Sequence, residues 1–186
     1  MRELDPFTVE LISHRLSAIT DEMSLRVVRT AKSVGIKSLM DFSTAICDRS
    51  GQVIVQGLNL PLHLGAVPDA MEVFLQEFGN SIQPDDVYLL NDPYLGGMHL
   101  PDMFVSRPLF FRNVHVGFAV VVAHHTDVGG RVPGSSAADS SEIYAEGLRL
   151  PPLRLDSGGV RNETLEDLLR CKRDYTAATR CCVPRQ

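Results

Sequence analysis

The sequence predicts an α+β domain in which a long N-terminal helix and a second helix pack on a mixed, mainly antiparallel sheet. Three observations lead there. Apolar residues near the N-terminus recur at helical spacing, and helical spacing returns once more near residues 67–78. Short β-type runs separated by turn residues fill most of the remaining chain.

The elements follow in order. Asp5-Pro6 is a helix start, with Asp as N-cap and Pro at the first helical position, where its missing N–H costs nothing. Val9, Ile12, Leu16, Ile19, Met23 and Val27 then recur at steps of three and four and form an apolar stripe facing away from Arg15, Asp21, Glu22 and Arg29. This helix is expected to end near Gly35. Phe42 to Cys47 and Gln52 to Gln56 read as a hairpin, because Asp48-Arg49-Ser50-Gly51 between them offers turn residues and a glycine able to take positive φ. The second helix is expected over Val67 to Phe78, with Val67, Met71, Phe74, Leu75 and Phe78 on one face and Gly79-Asn80 ending it. Pro84-Asp85-Asp86 is a turn, and Val87 to Leu90 is a short strand that delivers Asn91-Asp92 into a loop. Met103 to Phe111 and Val114 to Ala123 read as strands paired around Arg112-Asn113. Both alternating faces of the latter are apolar, as in a strand buried inside a sheet. From Asp127 to Pro152 the density of Gly, Ser and Pro predicts a long loop, a length that compact domains usually reserve for function. Leu165 to Cys171 closes the pattern as a short helix.

Composition narrows the function. A net charge of −5 and a pI near 5.6 leave no basic field for a nucleic-acid backbone. The longest apolar run, Val114 to Ala123, is interrupted by His115 and Gly117 and is far shorter than the roughly 20 residues that span a bilayer. The N-terminus has no apolar segment of the secretory type, so the expected location is cytoplasmic and no membrane partner is expected. Cys47 stands alone, and Cys171, Cys181 and Cys182 lack paired metal-ligand spacing, so neither a disulfide framework nor a zinc knuckle is supported. No Gly-x-Ser-x-Gly or Gly-x-x-x-x-Gly-Lys pattern occurs, so a serine-hydrolase elbow and a phosphate-binding P-loop both lack support.

Chemistry concentrates between Asn91 and Asp127. Asn91-Asp92-Pro93-Tyr94-Leu95-Gly96-Gly97-Met98-His99-Leu100-Pro101-Asp102 is followed by the predicted strand pair and then by His124-His125-Thr126-Asp127-Val128-Gly129-Gly130. Two clusters of His and Asp, joined by one strand pair, bring imidazoles and carboxylates to one place, a metal site or a proton-transfer site. Either pair alone favours hydrogen-bonded structural residues over a site, and only the two clusters together bring a shared site level with that reading; Asp92, before Pro93, by itself favours turn chemistry over catalysis. Strand alternation puts His124 and His125 on opposite faces, so at most one of them enters a given site. His14 and His115 have no such company, and His63, after Pro61, is assigned to neither class.

Taken together these segments resemble the hydantoinase B/oxoprolinase family. Flanking stretches carry the likeness as well: Asp5-Pro6-Phe7-Thr8, Arg29-Thr30-Ala31, Asp41-Phe42-Ser43, His63-Leu64-Gly65, Pro133-Gly134-Ser135 and Ser141-Glu142-Ile143-Tyr144 through Glu146-Gly147-Leu148-Arg149-Leu150-Pro151-Pro152. The likeness covers about residues 3 to 170. It implies residues 1–170 as the N-terminal part of a hydantoinase B/oxoprolinase domain and 171–186 as a divergent C-terminal tail. It also implies an enzyme subunit that hydrolyses a cyclic amide, 5-oxoproline or a hydantoin, in a hetero-oligomer. ATP would be used only by an A-type ATPase partner. Matched by motif, the resemblance makes His99, Asp102 and His124 ligands of a divalent metal, zinc or manganese, and leaves Asp92, His125 and Asp127 as candidates for support or acid/base work. Two other expectations stand beside this one: a truncated non-catalytic remnant that binds a partner, and a ketone carboxylase α-type subunit that shares the metal ligands.

Overall fold

The computed structural model describes residues 5–57 and 59–173. The divergent tail expected from Cys171 lies almost wholly outside them. The first helix, α1 (Pro6–Thr30), starts as its sequence dictates: the Asp5 carboxylate accepts the Thr8 amide at 3.0 Å, with Pro6 at the first helical position. It stops at Thr30, short of Gly35, where Ala31 turns extended. The run Val27, Val28, Thr30 is β-branched and favours helix poorly, and the chain restarts after Ser33 as the short α2 (Val34–Leu39).

The packing of α1 departs from its apolar stripe. Its buried residues are Thr20 and Ser24, while Val9, Ile12 and Ile19 are exposed. The reason lies in the seam with the first strand, β1 (Phe42–Cys47). Ser24 Oγ and Thr44 Oγ1 share a hydrogen bond of 2.8 Å, and Asn59 Nδ2 donates to the Ser24 hydroxyl at 2.8 Å. A Cβ at Gly57 would lie 2.3 Å from Thr44 Oγ1 and 2.7 Å from Ser24 Oγ. Small hydroxyl residues and a glycine therefore let helix and strand approach, with hydrogen bonds in place of apolar burial.

The sheet adds β2 (Val53–Gln56), β3 (Val87–Leu90), β4 (Asp102–Phe111), β5 (Val114–His124), β6 (Leu153–Ser157) and β7 (Val160–Arg161). Its order is β2-β1-β5-β4-β3-β6-β7, and every pairing among the described residues is antiparallel, so the parallel part of the expected mixed sheet is absent. Both predicted hairpins form. The second helix, α3 (Val67–Phe78), matches its expected span, and the last, α4 (Glu163–Arg173), starts two residues early, where Asn162 Oδ1 accepts the Leu165 amide. The pair β6–β7 was hidden at the edge of the Gly/Ser/Pro-rich stretch, although Leu153 and Leu155 alternate and Gly158-Gly159 makes the turn.

The sheet separates two apolar layers. On one face Phe104, Val120, Val122, Tyr88 and Leu90 pack beneath Val67, Met71 and Phe74 of α3. On the other, Leu89, Met103, Val128 and Leu150 cluster. Each fully buried aromatic of the first layer contributes about 2–3 kcal/mol. Cys47 lies within that layer, and burial pushes its thiol up to about 12. It is expected to escape iodoacetamide at pH 8 in the folded chain and to be alkylated in urea, as read by peptide mass mapping. Alkylation at equal rates in both conditions would contradict this packing. Among the described residues no helix is long and apolar enough to cross a membrane.

Candidate metal centre

The strand pair β4–β5 builds the centre. Its register sets Asp102, the first residue of β4, directly opposite His124, the last of β5, so both side chains leave the same face of the sheet. Pro101 keeps the preceding backbone out of helix, and the Asp102 amide donates to the His99 carbonyl at 2.9 Å, folding His99 back over the strand end. His99 Nδ1 is then 2.6 Å from Asp102 Oδ2, and His124 Nδ1 is 3.2 Å from Asp102 Oδ1. The two imidazole rings are tilted with centroids 5.0 Å apart. One donor atom from each of the three residues falls within 4.8 Å of the others. The Asp102 side chain is only 2% exposed and that of His99 45% exposed, so the centre is buried at its carboxylate and open at one imidazole.

Two further residues join it that sequence reasoning left out. His63 sits buried in the 3-10 turn Pro61–Gly65, with Nδ1 2.9 Å from Ser43 Oγ and Nε2 3.5 Å from Asp102 Oδ1. The Ser43 hydroxyl also reaches the Leu60 carbonyl, fixing the ring from behind. Asp41, just before β1, places one carboxylate oxygen 3.8 Å from His124 Nδ1 and the other 3.8 Å from His63 Nε2. Their signal was present only in the segments Asp41-Phe42-Ser43 and His63-Leu64-Gly65, each too short to betray a shared location.

Electrostatics favour a cation here. Burial alone would raise the Asp102 pKa, yet hydrogen bonds from His63 and His99, with their charge, hold it well below the usual carboxylate range. The hydrogen bond to Asp102 raises His99 against the opposing effect of burial, and the Asp102, Asp41 and Glu146 carboxylates add to the rise. A metal ion competes with that proton for the same nitrogen. In a four-coordinate zinc site, bonds of about 2.0–2.2 Å put neighbouring donors roughly 3.3 Å apart. The His124–Asp102 contact already meets this spacing, and the His99–Asp102 contact has to open by several tenths of an ångström. Two imidazole nitrogens and one carboxylate fit a borderline ion such as zinc or manganese.

The other three sequence candidates lie elsewhere. His125 follows His124 and so faces the opposite side of the sheet, where it lines a cavity of about 190 Å³ with Leu89, Met103, Val105, Leu148 and Asp127. The Asp127 carboxylate accepts the Gly129 and Gly134 amides at 2.7 and 3.0 Å and the Ser135 hydroxyl at 3.2 Å, bracing its own loop. Asp92 is buried, capping the Tyr94 amide at 3.0 Å and pairing with Arg149 Nε at 3.2 Å. The place beside the His99–Asp102–His124 cluster expected for Asp92, His125 and Asp127 is taken instead by Asp41 and His63. Strand alternation turns His125 away, and backbone hydrogen bonds occupy the two carboxylates.

Comparison with known proteins agrees in fold and sequence. The family profile described as Hydantoinase B/oxoprolinase matches residues 5–181. The caprolactamase subunit beta of Pseudomonas jessenii is 37% identical over 169 residues, 91% of this chain and 29% of that protein. The crystal structure of the ATP-dependent caprolactamase from the same organism superposes with a TM-score of 0.85 at 36% identity, covering 92% of this chain and 30% of that one. A 5-oxoprolinase of Pestalotiopsis fici is 31% identical over 182 residues, 98% of this chain and 14% of that protein. A nucleotide-free acetone carboxylase structure shares the fold, with a TM-score of 0.83 at 18% identity over 92% of this chain and 23% of that one. The chain thus spans less than a third of the length of these relatives.

Proposed function

The chain belongs to the hydantoinase B/oxoprolinase family, and on that footing we propose that it is part of a metal-dependent B-type subunit that hydrolyses a cyclic amide. The observation that carries this reading is the convergence of His99, Asp102 and His124 on one point at the open end of a strand pair. The relatives named as a caprolactamase and a 5-oxoprolinase act on cyclic amides by their names, which supports that substrate class. The caprolactamase is named as a subunit and as ATP-dependent, which supports a hetero-oligomer in which an A-type partner uses the ATP.

His99, Asp102 and His124 would hold zinc or manganese, which when bound polarises an amide carbonyl or lowers the pKa of a bound water. The chain's own residues do the rest. Asp102 is held anionic by its His63 and His99 neighbours, and His63, anchored by Ser43, orients that carboxylate from the buried side. Asp41, within 3.8 Å of His124, is the next oxygen donor, placed to complete the ligand set or to accept a proton.

Elemental analysis tests the reading. The purified chain is expected to carry close to one equivalent of a divalent transition metal, and His99→Ala to lose most of it. Less than about a tenth of an equivalent in the unaltered chain, unchanged by His99→Ala, would sink the ligand assignment. Turnover of 5-oxoproline or a hydantoin is expected only with an A-type partner and ATP. Product from bicarbonate and an enolisable ketone instead would move the chain to the carboxylase class.

A further inference from the structure

One arginine carries a charge that the hydrolytic reading does not use. Arg149 Nε faces the buried Asp92 carboxylate at 3.2 Å. Nη1 and Nη2 donate no hydrogen bond to any described residue, and the side chain is exposed to solvent. The guanidinium carbon lies 5.9 Å from the Tyr94 ring and 5.5 Å from the Tyr144 ring. Both tyrosines are more than 70% exposed. An arginine serving only as a buried counter-ion would be covered. Here two aromatic walls flank the guanidinium, a buried carboxylate fixes its Nε side, and its terminal nitrogens are left without protein partners.

Its position is set by the loops that carry the cluster. Asn91 Nδ2 donates both to the Leu100 carbonyl, at 2.6 Å, and to the Leu148 carbonyl, at 2.9 Å, while Asn91 Oδ1 accepts the Leu150 amide at 2.6 Å. The residues on either side of Arg149 are thereby clamped to the backbone between His99 and Asp102. Tyr94 belongs to the same loop as His99, and Glu146, three residues before Arg149, is near enough to act on His99 electrostatically. Leu150 turns into the core, and Arg149 turns away from it.

We propose that Arg149, set between Tyr94 and Tyr144, is an oxyanion-binding residue beside the His99–Asp102–His124 cluster, receiving a carboxylate or phosphoryl group. Guanidinium nitrogens match the paired oxygens of either group, and such charge-assisted bonds are directional. Asp92 offsets part of the charge, so selectivity comes from geometry. The proposal rests on the proposed function only in taking the cluster as the place of reaction. Anion binding is measured without turnover or metal, so the two readings fail separately.

The test follows the side-chain signals of the full chain labelled with ¹⁵N-arginine, at constant ionic strength, against 5-oxoproline, 2-pyrrolidinone and inorganic phosphate. A saturable shift with 5-oxoproline assigns a substrate carboxylate. Saturation by phosphate alone assigns a phosphoryl group, and saturation by both assigns oxyanions generally. Pyrrolidinone, the same ring without the carboxylate, is expected to leave the signals unmoved. Arg149→Gln is expected to weaken the anion about tenfold or more and Arg149→Lys less, since the point charge survives without the fork. No saturation by either anion, equal shifts from pyrrolidinone, or an Arg149→Gln chain that binds like the unaltered one overturns the proposal. Should Arg149→Gln fail to fold, the paired Tyr94→Ala and Tyr144→Ala change at two exposed rings decides. A several-fold loss supports the slot and unchanged affinity overturns it.

Discussion

Asp102→Asn is expected to empty the cluster and to cost the fold about 3 kcal/mol. The side chain keeps its shape but loses its charge in a position only 2% exposed, where His63, His99 and His124 stand 3.5, 2.6 and 3.2 Å away. Removing the charge leaves the buried His63 without its carboxylate partner and takes one from His99 and His124, the usual cause of losses of this size. A neutral amide is also a far poorer metal ligand than a carboxylate, so affinity should fall by about a hundredfold or more, read by competition with a chromogenic chelator. The stability loss, read by urea unfolding of metal-free chain, carries a pH signature. The Asp102 pKa is depressed in the folded state, so its contribution is present above the unfolded carboxylate value, about 3.9, and disappears as pH falls through the folded one. Unaltered and variant chains should therefore differ at pH 7 and converge in acid. A constant difference down to pH 2 would mean that packing, not charge, is what the substitution disturbs.

Asn91→Ala is expected to cost about 3–4 kcal/mol through a different route. The amide is fully buried and makes three hydrogen bonds to backbone groups of two separate loops. Truncation leaves the Leu100 and Leu148 carbonyls and the Leu150 amide buried with lost partners, each worth about 1–3 kcal/mol, with partial relief as the Leu148–Leu150 segment relaxes. Hydrogen exchange would show where the damage goes. The Leu150 amide should lose protection while the β1–β2 hairpin amides, such as the one Asp48 accepts from Gln52, keep theirs relative to global unfolding. Loss spread evenly over the whole sheet would mean that Asn91 is an ordinary core residue and no clamp.

These two residues show how unevenly the site was legible. Asp102 announced itself through its spacing from His99 and through the strand pair that carries His124, because a hairpin register is a local property. Asn91 looked like part of a turn, and its partners at Leu148 and Leu150 lie 57 and 59 residues away. Asp41 and His63 were missed for the same reason. Each joins the cluster only after β1 pairs with β5 and the turn after β2 folds over the sheet face. Conversely, Asp127 has the residue type and company of an acid/base group, and only the Gly129, Gly134 and Ser135 hydrogen bonds reveal it as a loop brace.

Local chemistry thus determined, from sequence alone, the capped start of α1, the span of α3, the hairpins β1–β2 and β4–β5, and the opposite facing of His124 and His125. Caps, turns and side-chain alternation act within a few residues and need no distant partner. The antiparallel order of seven strands, the burial of Thr20 and Ser24 in place of the apolar stripe, and the joining of Asp41 and His63 to His99, Asp102 and His124 were decided by tertiary structure. Each depends on which surfaces meet, and that is set by close packing and hydrogen-bond satisfaction over the whole domain.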